Sequence, residues 1–218
     1  TSASFAKYDE PSQAVLAIEQ IVPLNLLDVS DEYFKTHEVS AEAALESARI
    51  AYIVSSQRPL VAKNLAIAYN NAVVEMVKKN AFKKAMVYAK DSRDKGLINM
   101  VGSNAALYYL KQNQFKSALD YAHYSQEKGN LEKIIYQNEG AYYFNKGRYS
   151  EAISAFQKIN DRDAVRSCYV ALFNNEQRKL GSMSTTDDIK NNRSVIYSMD
   201  NYAKKSGDHG LIGYVSEL

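Results

Sequence analysis

The sequence predicts an all-α protein assembled from helical hairpins, and three observations carry that prediction. First, a phrase recurs after 33 residues: NAFKKAMVYAKDSRDKG at 80–96 is echoed by NQFKSALDYAHYSQEKG at 113–129, with nine of 17 positions identical. A third copy, KGRYSEAISAFQKI at 146–159, places Ala152 34 residues after Ala118. A fixed period in this range marks stacked supersecondary units. Second, each unit holds two stretches with apolar residues at helical spacing. Third, nine Gly and three Pro in 218 residues leave room for long helices joined by short turns.

Taken in order, residues 1–38 are expected to form an acidic N-terminal segment with one helix, PSQAVLAIEQIV at 11–22, and an irregular stretch at 24–38. Residues 39–164 are expected to form helix pairs. SAEAALESARIAYIV (40–54) reads as a helix with Ser40 as its N-cap. Pro59 suits the first turn of the next helix, over about 58–79. At 99–112, Met100, Ala105, Ala106, Leu107, Tyr109 and Leu110 form a helical stripe; Asn113 marks a turn. Phe115, Ala118, Leu119, Ala122 and Ser125 then form the stripe of a second helix. Gly129, and Gly96 one unit earlier, are expected to end helices as left-handed C-caps. Small residues at Ala85, Ala118 and Ala152 allow close helix approach, with Phe82, Phe115 and Tyr149 wedged at the turns.

Residues 165–218 read as degenerate or capping helices. DAVRSCYVALFNNEQRK (163–179) is amphipathic, and KLGSMSTTDD (179–188) reads as a loop. Asp187 or Asp188 would cap a helix through Lys205, with Ile189, Val195, Ile196, Met199, Tyr202 and Ala203 on its buried side. The tail 206–218 keeps enough apolar residues for a short capping helix.

The repeated residues resemble tetratricopeptide repeats, most clearly over about 66–164. In GAYYFNKGRYSEAISAFQKI, Gly140, Tyr143, Gly147, Tyr149, Ala152 and Phe156 stand where that family's signature places them. ALYYLKQNQFKSALDYA (106–122) matches nearly as well, and AVVEMVKKNAFKKAMVYA (72–89) more loosely. The usual junction proline is replaced by Leu97, Asn130 and Ala164. The resemblance implies a right-handed α-α superhelix whose first helices line a concave groove. Projected onto this chain, the groove residues are Ile67, Asn70, Val74 and Lys78; Met100, Ser103, Leu107 and Lys111; and Ile134, Gln137, Ala141 and Phe144. The family's best-known binding mode clamps an acidic C-terminus with Lys, Asn and Arg. The pairs Asn70/Val74, Ser103/Leu107 and Gln137/Ala141 stand at those spacings, so that clamp is absent. A more apolar groove implies a hydrophobic peptide or partner protein, or filling by the chain's own amphipathic segment at 187–205.

Chemistry for catalysis is not visible, and the reading is non-enzymatic, with no cofactor and no metal. His37, His123 and His209 are far apart and form no metal-ligand spacing. Cys168 sits in an apolar helix and reads as a buried structural thiol. Tyr88, Tyr109, Tyr121 and Tyr143 recur at equivalent positions as packing residues, whereas Tyr124, Tyr136 and Tyr142 are candidates for partner contacts.

Charge suggests two other readings. Residues 1–47 carry −7 and the remainder +9, within a net charge of +2. Lys78, Lys79, Lys83, Lys84, Lys90, Arg93 and Lys95 stand against Asp91 and Asp94, a local +5 that makes nucleic-acid binding the alternative to a solvated helix face. The chain could also be a helper or sensor domain of a larger regulator or lipoprotein. A cytoplasmic location fits the absence of oxidising-compartment signs; a periplasmic or lipid-anchored one fits removal of a leader before TSASF. No apolar run reaches the ~18 residues of a membrane span, and the reading leaves homo-oligomer formation open.

Overall fold

A computed structural model describes residues 40–55, 59–182 and 193–218. Among these the chain is all-α, with ten helices and no strand. They are α1 (Ala41–Ser55), α2 (Pro59–Lys78), α3 (Phe82–Ser92), α4 (Lys95–Lys111), α5 (Phe115–Ala122), α6 (Lys128–Asn145), α7 (Tyr149–Lys158), α8 (Arg162–Gly181), α9 (Arg193–Ser206) and α10 (His209–Ser216). The helix expected at 11–22, the acidic stretch at 24–38, His37 and the Asp187–Asp188 cap lie outside the described residues. Of the loop expected at 179–188, residues 179–181 are helical, because α8 continues through Gly181, and those from 183 lie outside the described residues.

The chain divides into two compact units. The first comprises residues up to Ala105 with His123–Gln126, and the second comprises Ala106–Ala122 with Glu127–Leu218. In the first unit α1 packs on α2 and α2 on α3. Ser40 caps α1 as expected, its Oγ accepting from the Ala43 N–H at 3.2 Å. Small residues make this contact close: Ala41, Ala48, Ala68 and Ala72 are buried with Leu45 and Tyr69. A polar lock adds to it. The Tyr88 hydroxyl donates to Glu42 at 2.6 Å, and the Lys84 ammonium pairs with the same carboxylate. Lys84 first, then Tyr88, holds the Glu42 carboxyl below its ordinary value. The 123–126 stretch is tied to the start of α4. Asn99 accepts from the Gln126 N–H at 2.7 Å, and the hydroxyls of Ser103 and buried Ser125 lie 2.9 Å apart.

In the second unit each helix from α6 to α10 packs on its predecessor. Phe115, Ala118 and Ala122 of α5 bury against Leu131 and Ile135 of α6. Gly140 has a steric reason: a Cβ there would stand 2.6 Å from the Phe156 ring. At the far end Phe173 of α8 is packed with Met199 and Ala203 of α9, with Val195, Tyr202 and Leu211 around them. The apolar stripe of α9 is therefore spent against α8 and α10.

Four turns share one backbone solution. Asn80 (φ 57°), Asn113 (φ 57°), Gly147 (φ 72°) and Asn160 (φ 55°) take the left-handed conformation after α2, α4, α6 and α7. The following amides of Ala81, Gln114, Arg148 and Asp161 return to Met76, Tyr109, Tyr143 and Phe156 carbonyls at 2.8–3.1 Å. This six-to-one bond satisfies carbonyls that the helix end would leave open. Asparagine is the non-glycine residue best suited to that conformation.

Gly96 and Gly129 are not C-caps. They lie in the first turns of α4 and α6, and the left-handed residue after α3 is Arg93 (φ 59°). At Gly96 the reason is capping: the Asp94 carboxylate accepts from the Gly96 and Leu97 amides at 2.7 and 3.2 Å, starting α4 there. Nothing in the structure explains glycine at 129.

The structure also exposes a longer echo. Tyr88-Ala89-Lys90, Ser92, Asp94 and Gly96-Leu97-Ile98 recur as Tyr202-Ala203-Lys204, Ser206, Asp208 and Gly210-Leu211-Ile212, eight identities over 11 positions. Asp208 caps α10 through the Gly210 and Leu211 amides, as Asp94 caps α4.

Candidate functional site

The twelve projected residues fall on three helices, and within each helix their spacing of three or four residues sets them on one stripe. On α2 Ile67 is 38% exposed, Asn70 and Lys78 are exposed and Val74 is half-buried. On α4 Leu107 is 45% exposed and Lys111 exposed, while Met100 and Ser103 are half-buried. On α6 Ile134, Gln137 and Ala141 are exposed and Phe144 is half-buried. Two of the twelve have internal duties. Ser103 holds Ser125, and the Phe144 ring packs edge-on against Tyr149 at 5.3 Å.

The apolar members, exposed at Ile67, Leu107, Ile134 and Ala141 and half-buried at Val74 and Met100, hold corresponding places in their repeats. Ile67, Met100 and Ile134 are one such set; Val74, Leu107 and Ala141 are another. Each helix thus buries its strongly apolar side and leaves one or two apolar residues of this stripe exposed.

Clefts open elsewhere on the described residues. One of about 440 Å³ in the first unit is lined by Arg49, Tyr52, Ile53, Leu65, Tyr69 and Asp91, among others. Arg49 there pairs with Glu46 at 3.0 Å and Asp91 at 3.5 Å, and burial raises the Tyr69 hydroxyl's pKa. One of about 530 Å³ in the second unit lies between the turn before α8 and the end of α9, beside Arg162, Arg166, Lys204 and Lys205. The third, of about 390 Å³, lies over α6 between α5 and α7.

The basic run at 78–95 is partly neutralised. Lys79 pairs with Glu75, Lys84 with Glu42, and Lys90 lies over the Tyr124 ring at 4.3 Å. Tyr142, expected to face outward, instead packs against Phe115 at 5.6 Å. Cys168 is fully buried, and that burial pushes its thiol up to about 11, which disfavours the reactive thiolate. Among the described residues no three His, Cys, Asp or Glu side chains converge as a metal site. No helix of the described residues is long and apolar enough to cross a membrane.

The site residue that sequence reasoning missed is Glu139, on the floor of the third cleft. Lining up the repeats would have singled it out, since Ala105 and Ala72 hold the equivalent positions and both are fully buried. No protein-family model and no curated protein matches the sequence.

Proposed function

We propose that the chain is a non-enzymatic, tetratricopeptide-like interaction scaffold that holds a peptide or partner protein on the outward stripes of α2, α4 and α6. The observation that carries this reading is one exposed large apolar residue on each of α2, α4 and α6: Ile67 and Ile134 at equivalent repeat positions, and Leu107 two turns beyond Met100 on the same stripe of α4. Isolated exposed apolar residues are ordinary, but one on the corresponding stripe of the first helix of each repeat is what a partner reading several repeats requires. The neutral residues between them, Asn70 and Gln137, favour an apolar or uncharged segment over an acidic terminus.

Leu107→Asp and Ile134→Asp test the reading without touching the core. Affinity capture from the native cell, resolved by mass spectrometry, should recover proteins with the wild-type chain that both variants lose at unchanged helical circular dichroism. An identical captured set from wild type and variants would sink it.

A further inference from the structure

Glu139 departs from its own repeat in a way that packing does not explain. Its counterparts Ala72 and Ala105 are fully buried alanines, and a small apolar residue there serves the helix contact well. Glu139 puts a half-buried carboxyl at that place. Its pKa is raised, with burial as the cause. Leaving a desolvated carboxylate without a counter-charge is unfavourable.

No cation of the described residues pairs with it. Among the described residues Glu139 has neither an ion-pair partner nor a side-chain hydrogen bond. Lys116 and Lys158 border the cleft, but neither forms an ion pair with it. The cleft's other acid, Glu151, is already neutralised by Arg148 at 2.8 Å. Around Glu139 the walls are Leu119, Tyr136 and Tyr143. The Tyr143 ring already carries the Arg148 guanidinium at 4.5 Å, so aromatic faces here take cations.

We infer that this cleft is a binding site for a single lysine or arginine side chain of a protein partner, with Glu139 as its counter-ion and the tyrosines and Leu119 holding its alkyl stem. The volume of about 390 Å³ suits one long side chain rather than a folded element. The site is separate from the outward stripe. Glu139 is two residues from both Gln137 and Ala141, which places it about 200° around the helix from each. Failure of either reading thus leaves the other standing.

The test titrates the whole chain, carboxyl-labelled at glutamate, with N-acetyl-lysine amide and N-acetyl-arginine amide, and with neutral N-acetyl-norleucine amide as control, followed by NMR. Expected are a saturable shift of the Glu139 signal with at least one cationic probe, none with norleucine amide, and at least about tenfold weaker binding by Glu139→Gln. Glu139→Ala, which restores the residue of the sister repeats, should fold with an unchanged or higher midpoint and lose binding equally. No saturable shift with either cationic probe would overturn the assignment, as would equal binding by Glu139→Gln. Cadaverine binding while both amides do not would overturn the assignment to a protein side chain.

Discussion

The turn that follows α3 and the turn that follows α9 solve the same problem with the same hydrogen bonds around a different left-handed residue. In each, a serine hydroxyl donates back to an alanine carbonyl at 2.7 Å, Ser92 to Ala89 and Ser206 to Ala203. In each, that hydroxyl accepts from the aspartate amide two residues on, at 3.2 and 3.1 Å. The aspartate then caps the next helix. Between serine and aspartate, however, the left-handed position holds Arg93 in one turn and Gly207 in the other. The arginines that approach also bind differently: Arg49 reaches Asp91, outside the cap, whereas Arg166 reaches the capping Asp208 itself at 3.3 Å. The comparison teaches that the turn's shape is encoded locally by serine, aspartate and glycine, while its stability and charge are set by what stands beside it.

The comparison breaks most severely at the packing beneath the second turn. Phe173, 1% exposed, supports Met199 and Ala203, and Phe173→Ala should cost about 3–5 kcal/mol. Hydrogen exchange should accelerate in α9 and α10 well before α1–α3; uniform acceleration would show that the turn does not depend on that core. Next, Ser206→Ala removes a buried hydroxyl that both donates and accepts, and should cost about 1–2 kcal/mol by urea denaturation. Ser92→Ala, at a half-buried position, should cost less; equal losses would mean that burial does not separate the two turns.

Exchanging the left-handed residues has a smaller, signed effect. Arg93→Gly should stabilise by about 1 kcal/mol, and Gly207→Arg should destabilise by a similar amount. A destabilised Arg93→Gly would mean that the arginine side chain contributes more than its backbone strain removes.

The smallest effect is on pH. The Leu211 amide first, with the Gly210 amide and Arg166, holds the Asp208 carboxyl below its ordinary 3.8. Its folded pKa lies under its unfolded one, so its contribution is complete above the unfolded value and fades as pH falls through the folded value. Asp208→Asn should remove that portion of the acid dependence, seen as a shallower loss of unfolding midpoint below about pH 4. An unaltered acid profile would show that the cap charge is not coupled to folding.

Much of the fold was legible because its signals are local. Alanines 85, 118 and 152, all fully buried, announced the hairpin contacts, and Ser40 and Pro59 announced helix starts. Gly96 was misread because glycine fits both a helix end and a crowded first turn. What separates the two is Asp94 two residues earlier, whose Oδ1 would stand 3.0 Å from an added Cβ. The longer echo at 88–98 and 202–212 was readable in principle, but it does not fall at the 33-residue period. Of the projected site residues, the helical stripes were legible from spacing alone. The internal duties of Ser103 and Phe144 were not, since Ser125 and Tyr149 reach them only once helices and turns have packed.

By itself the sequence determined the helical hairpins over 40–164 and the turn at Asn113, because periodicity and a left-handed asparagine act within a dozen residues. Only the tertiary structure decided which polar groups are paired. Glu139 is a surface-type residue by sequence and is half-buried because residues of α5 and α7 line the cleft it stands in. Burial of a charge is a property of its neighbours, and those neighbours come from other helices.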